Sequence, residues 1–344
     1  MNNNDFQHLM TEAARLTRSG DLQAATAAIQ AALGGAAGAA GTATTPAGVV
    51  DAIDVESREL PAHAGSRFIA ARFATTSGGR DYKLFIPDAA ADGKPLPLAV
   101  MLHGCTQDPD DFARGTAMNE LAQREGFFVL YPAQSQQANP QRCWNWFKHS
   151  HQERGRGEPA LLAGMTRQVM EQHPVDPARV YVAGLSAGGA MAAILADTYP
   201  ELYAAVGVHS GLAAGAASDL PSALQAMQGQ GGRGRRSAQH VPTIVFHGDA
   251  DTTVHPSNGA HVAAASSPGA GAADVQQQAP AGRRRSTRSV HRNGAGEVLA
   301  EHWLVHGAAH AWSGGSARGS YTDAQGPDAS AEMLRFFLEH PRRP

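Results

Sequence analysis

The chain has 344 residues and a net charge of −3, enough length for one large α/β domain with an appendage. Near-balanced charge argues against a general nucleic-acid or anionic-membrane binder. No apolar run reaches the roughly 20 residues of a membrane span, and the two cysteines, Cys105 and Cys143, form no metal motif.

Met1-Asn2-Asn3-Asn4-Asp5 has no positive n-region, and Asp5 and Glu12 interrupt any apolar core, so the start does not read as a secretory signal. Phe6, Leu9, Met10, Ala13 and Leu16 recur at helical spacing up to Gly20. Asp21 then caps a second helix through Leu22, Ala25, Ile29 and Leu33. The expectation is an N-terminal helical hairpin over 1–33, a flexible Ala/Gly/Thr linker over 34–48, and a catalytic domain over 49–344.

Arg67–Phe73 and Arg80–Pro87 bracket Ser77-Gly78-Gly79 and predict a β-hairpin. Leu96–Leu102 is a continuous apolar run, as in a strand buried on both faces, and it ends in His103-Gly104-Cys105-Thr106-Gln107. One helix is predicted around Phe112–Glu125, a strand at Phe127–Pro132, and a helix at Leu161–His173. Strands follow at Val180–Ala183, Ala204–Gly211 and Thr243–Gly248, with a last strand at His302–His306 and a last helix at Ala329–Glu339. This alternation predicts an α/β fold with a mostly parallel sheet and helices on both faces. Gln228–Arg236 and Ser266–Arg285, rich in Gly, Gln, Ala and Arg, read as mobile surface loops. Their arginine clusters lack the interleaved aromatics that base stacking needs.

Gly184-Leu185-Ser186-Ala187-Gly188 fits G-x-S-x-G. It lies between a β-branched strand and the small, apolar helix that starts near Gly189. In that context Ser186 sits on a strained turn and is expected to be a nucleophile. A serine nucleophile needs a base, and the base an orienting acid, in the chain order serine, acid, histidine. The acid belongs in His247-Gly248-Asp249-Ala250-Asp251. Asp249 lies nearer the strand and suits holding the turn; Asp251 has room to bend toward a histidine and is favoured. Among sixteen histidines only position can choose the base. His310, in the glycine-rich loop after the last strand, is favoured over His306 at the strand end. The oxyanion donors are expected at the backbone N–H of Ala187 and in the loop after Leu102, at Cys105 or Thr106. Trp144, Trp146 and Trp312 are candidates to line a substrate pocket, with core packing the alternative for each. Acyl transfer of this kind requires no metal and no organic cofactor.

Five separated motifs, Leu102–Gln107, Cys143–Phe147, Gly184–Met191, His247–Val254 and His310-Ala311-Trp312, together resemble the polyhydroxybutyrate depolymerase family of esterases. That group is similar to the feruloyl and acetyl-xylan esterases of the α/β-hydrolase superfamily. The resemblance covers about residues 67–340. It implies an α/β-hydrolase fold, a serine esterase acting on polyester or acylated polysaccharide, Ser186, Asp251 and His310 as the triad, and an extracellular location. Cytoplasmic residence is the alternative, since no signal peptide is recognisable. No counterpart of a separate polymer-binding domain is visible. Cys105 and Cys143 allow a single internal pairing, and both follow strands expected to be neighbours. The resemblance favours a disulfide between them over two free thiols.

Overall fold

The computed structural model describes residues 67–75, 78–232, 234–235 and 240–342; the expected hairpin over 1–33 and linker over 34–48 lie outside the described residues. The strands are β1 (Arg67–Thr75), β2 (Gly78–Ile86), β3 (Leu96–Leu102), β4 (Phe128–Pro132), β5 (Val175–Leu185), β6 (Ala205–His209), β7 (Thr243–Gly248), β8 (Asp274–Gln278), β9 (Ser286–Arg292) and β10 (Val298–Val305). They form one sheet in the order β1-β2-β4-β3-β5-β6-β7-β10-β9-β8. From β4 through β10 all neighbours pair parallel, and the antiparallel pairs β1–β2–β4 and β10–β9–β8 flank them.

Continuous apolar runs make the central strands because both faces of the sheet are covered. Leu98, Val100 and Leu102 of β3 point into one core, with Val180 and Val182 of β5. Ala99 and Met101 point into the other, with Tyr181 and Ala183. The first core is closed by α3 (Gly157–Gln172), α4 (Ala187–Thr198) and α6 (Ser257–Ala265), with α5 (Leu220–Met227) beside them. The second is closed by α1 (Pro109–Thr116), α2 (Met118–Glu125) and α7 (Ala329–Glu339). This is the mostly parallel sheet with helices on both faces that the alternating pattern predicts, and the α/β-hydrolase fold that the resemblance implies.

Two expectations need correction. The helix expected around Phe112–Glu125 is two helices, broken at Ala117, whose φ of 51° is left-handed. Thr116 Oγ1 also turns back to donate to the Phe112 carbonyl at 2.8 Å, a bond that competes with helix continuation. The stretch Ser266–Arg285 is not loop throughout, because it contains β8, an edge strand paired with β9. β8 is exposed along nearly its whole length. No apolar alternation marks it in sequence, and backbone pairing alone makes it a strand. Its arginines are engaged internally: Arg284 pairs with Asp323 at 2.6 Å and Arg283 donates to the Gly326 carbonyl at 3.1 Å.

Candidate active site

The sheet order places the C-terminal ends of β3, β5, β6, β7 and β10 along one edge, and the loops leaving them carry the chemistry-bearing side chains. Ser186 stands between β5 and α4 with φ 57° and ψ −119°, outside the regions open to most L-residues. Such a conformation costs about 1–3 kcal/mol and persists only where its surroundings fix it. Two glycines allow it. A Cβ at Gly188 would overlap the Leu102 carbonyl oxygen, and one at Gly184 would lie 2.7 Å from that same oxygen. The elbow is therefore pressed against the end of β3. The Ala187 N–H, in the first turn of α4, has no acceptor within its own helix.

The loop after β3 is fixed from several sides. His103 Nε2 accepts the Gln134 N–H at 3.1 Å, so the ring proton is on Nδ1 and is donated to the Gly104 carbonyl at 2.7 Å. Burial pushes this imidazole down to about 4, although the Gly104 bond opposes the shift. Trp144 Nε1 donates to the His103 carbonyl at 3.1 Å. Cys105 is disulfide-bonded to Cys143, as the family resemblance implies, across 38 positions of sequence. Of the two expected donors here, Thr106 N–H is already given to the Gln141 carbonyl at 2.7 Å. Cys105 N–H has no acceptor among the described residues.

Behind this loop lies the buried carboxylate of Glu158, which the sequence does not single out. It accepts from the Asn145 N–H at 2.7 Å, from Asn145 Nδ2 at 2.7 Å and from Gln134 Nε2 at 2.5 Å. Burial opposes its ionisation, yet His151 at 3.4 Å and the hydrogen bonds from Gln134 and Asn145 bring its carboxyl below the ordinary range.

The loops after β7 and β10 are joined by two Asp–His pairs. Asp249 Oδ2 lies 2.8 Å from His306 Nδ1, and its Oδ1 accepts the Gly307 N–H at 2.6 Å. His306 Nε2 accepts from Thr287 Oγ1 at 2.9 Å, so both of its ring nitrogens are occupied. Asp251 Oδ2 lies 2.7 Å from His310 Nδ1, while its Oδ1 accepts the N–H groups of Thr253 and Val254, each at 2.9 Å. His310 Nε2 has no partner among the described residues. In the neutral ring the contact with Asp251 places the proton on Nδ1 and leaves the Nε2 lone pair free. Burial raises the Asp251 carboxyl, but the nearby His247, the bond from His310 and the Val254 N–H outweigh it and hold the group well below the usual carboxylate range.

Two further histidines support this arrangement. His209, at the end of β6, accepts the Ser186 N–H on its carbonyl at 2.9 Å and the Ser313 N–H on Nε2 at 2.9 Å. It thus ties the elbow to the loop that carries His310. His247 Nε2 donates to the Val254 carbonyl at 2.9 Å and lies 3.4 Å from Asp251 Oδ2. His247 sits inside a motif quoted above; His209 has no sequence mark beyond its strand end.

A family model described as esterase PHB depolymerase matches residues 80–288. The chain belongs to this family. Among its relatives, poly(3-hydroxyalkanoate) depolymerase C of Paucimonas lemoignei is 33% identical over 201 residues, 54% of this chain and 47% of that protein. The chain thus spans about half the length of that relative. Feruloyl esterase B of Thermothelomyces thermophilus is 30% identical, with 50% of this chain and 64% of that one aligned. Probable acetylxylan esterase A of Aspergillus clavatus is 26% identical, over 60% of this chain and 71% of that one. An acetyl xylan esterase structure from Aspergillus awamori superposes with a TM-score of 0.56 at 19% identity, covering 75% of this chain and 94% of that one, a likeness of fold.

In this family member the expected aromatic lining of a substrate pocket is not met. Trp144 and Trp312 are fully buried, and Trp146 nearly so. Trp144 packs beneath the His103 loop, with ring centroids 5.5 Å apart. Trp312 stacks on His209 at 5.0 Å, meets Phe112 edge-on at 5.5 Å and donates its Nε1–H to Ser330 Oγ at 3.0 Å. The Trp144 and Trp312 indoles have satisfied N–H groups and no open face, so they brace the loops of the site from within.

Proposed function

We propose that the chain is a serine esterase using Ser186 as nucleophile, His310 as base and Asp251 as orienting acid. The observation that carries this reading is the buried Asp251–His310 pair, which leaves Nε2 without a partner among the described residues on the sheet edge where Ser186 sits in its strained turn. As Ser186 Oγ attacks the ester carbonyl, its proton passes to His310 Nε2. The imidazolium is stabilised by Asp251, and the oxyanion is received by the N–H groups of Cys105 and Ala187. His310 then gives the proton to the departing alcohol, and the same nitrogen activates the water that releases the acid.

Membership in the esterase PHB depolymerase family supports oligo- or poly(3-hydroxybutyrate) esters as substrate. A second reading, an ester of a feruloylated or acetylated polysaccharide, is supported by the relatives of those names. Neither reading calls on a metal or organic cofactor or a nucleic acid, and no described helix is long and apolar enough to cross a membrane. The Cys105–Cys143 disulfide supports work in an oxidising, extracellular setting.

A panel of short p-nitrophenyl acyl esters, hydroxybutyrate oligomers, acetylated xylo-oligosaccharide and methyl ferulate tests the reading. Turnover that is lost in Ser186→Ala is expected, as is labelling of Ser186 by a fluorophosphonate. Absence of both in the intact chain would remove the proposal in favour of a non-catalytic binding protein on this fold.

A further inference from the structure

Tyr321 is a bulky aromatic with a φ of 50° and is 46% exposed as a residue. A large residue in the left-handed region is an outlier, and an exposed ring gains little packing to offset that strain. Its backbone and its hydroxyl are nonetheless both fixed. The Tyr321 carbonyl accepts the Trp312 N–H at 2.7 Å, two residues beyond His310. Thr106 Oγ1 gives its only proton to the Cys105 carbonyl at 2.6 Å, so the contact between Tyr321 and Thr106 at 3.2 Å is donated by the tyrosine hydroxyl. Thr106 is itself left-handed, with φ 66°.

The segment that carries Tyr321 is stapled to the same loop. Gln107 Nε2 donates to the Ser320 carbonyl and to Ser320 Oγ, each at 3.2 Å, and the Ser320 N–H donates to Asp111 at 3.0 Å. The ring thus stands at the rim between the loop of the proposed base and the loop of the proposed oxyanion donor. Its hydroxyl is spent on Thr106, and what it offers a ligand is an apolar ring face.

We propose that the exposed face of Tyr321 is a subsite for the alcohol arm of the ester, taking the C–H-lined face of a pyranose or of a hydroxyalkanoate unit. The proposal rests on the serine-esterase reading. Its side of the site is assigned by the backbone bond to the His310 loop, because His310 is the group that protonates the departing alcohol. A rigid aromatic held in place before binding loses little entropy when a flat partner covers it.

The test compares the full-length chain with Tyr321→Asn, which tolerates a left-handed backbone, and with Tyr321→Phe, which keeps the ring. The substrates are ethyl acetate, acetylated xylotriose and a 3-hydroxybutyrate trimer. For at least one large alcohol arm, Tyr321→Asn should lower kcat/KM about tenfold more than for ethyl acetate, through KM, while Tyr321→Phe retains the selectivity. The arm with the greater loss identifies the source, sugar or hydroxyacid. Equal losses on all three esters would reduce Tyr321 to a structural role, and no loss on any would leave it outside the site; either overturns the proposal. Failure of the esterase reading is seen separately, as no turnover of any ester by the unaltered chain, and it takes the subsite with it.

Discussion

Asp249–His306 and Asp251–His310 are drawn from the same two loops, and their separations, 2.8 and 2.7 Å, are nearly equal. Their surroundings are not. The outer pair is partly exposed, with 37% of the aspartate and 33% of the histidine side chain open, and His306 is bonded at both ring nitrogens. In the inner pair the aspartate side chain is fully buried and the histidine 11% open, with no partner for Nε2 among the described residues. The outer pair closes a loop junction: Ala250 N–H also reaches the Ala308 carbonyl at 3.1 Å. The inner pair has one nitrogen anchored and one without a partner among the described residues, as the proposed base requires. An Asp–His contact alone therefore says little about a proton relay; what matters is where the second nitrogen goes and how dry the carboxylate is.

The sharpest way to break this comparison is to remove one histidine at a time. His310→Ala, like Ser186→Ala, should lower kcat on the order of 10⁴-fold or more with the fold retained. His306→Ala should leave turnover within a few-fold. Steady-state kinetics on a soluble ester decide it, and the reverse pattern would exchange the roles of the two pairs.

The aspartates come next. Asp251→Asn should lose on the order of 10³-fold in kcat, because the amide no longer holds the His310 tautomer. Asp249→Asn should change kcat little and show its effect in a urea midpoint, by about 1 kcal/mol or less given its exposure. Similar kcat values for the two variants would leave the acid unassigned.

A smaller effect lies in the acid response of the inner region. Burial pushes His209 well below its ordinary range, repulsion from His247 and His310 adds to this, and Asp251 opposes it. Below about pH 6.5 the unfolded chain binds a proton there that the folded chain refuses, so stability falls as pH falls. His103 and His302, which burial pushes to about 4, extend the same loss down to that pH. Urea midpoints at pH 7 and pH 5 should differ in that sense, and the difference should shrink in His209→Gln. An undiminished difference would mean that His209 takes up its proton in the folded state. The smallest effect is expected from deleting residues 1–48, which precede the sheet and end in a tract of small residues. kcat/KM on a small soluble ester should stay within about twofold, both pairs being built from residues beyond 248. A large loss would bring the N-terminal segment into the site.

Much of this comparison was legible as residues and little of it as geometry. The motif spanning His247–Val254 offered two aspartates and the loop after β10 two histidines, and preference came from distance along the chain past each strand end. The single helix read over Phe112–Glu125 failed because the break at Ala117 carries no Gly or Pro. For Trp144, Trp146 and Trp312 the sequence left pocket lining and core packing open, because an indole beside a site looks the same in sequence whether it lines the cleft or braces it; their burial favours packing.

The sequence by itself determined the sheet's central strands and the elbow, and it supplied the chain order on which the proposed serine, acid and histidine rest. Each is written in local patterns: apolar runs, glycines flanking a strained residue, chain order. Tertiary structure alone decided which imidazole nitrogen is free, that Thr106 has spent its N–H while Cys105 has not, that the Glu158 carboxylate is buried beneath the β3 loop, and that Tyr321 stands strained at the rim. Those facts depend on partners far away in sequence, such as Thr287 for His306, Gln141 for Thr106 and Thr106 for Tyr321. Burial and hydrogen bonding are properties of an environment that exists only once distant segments have met.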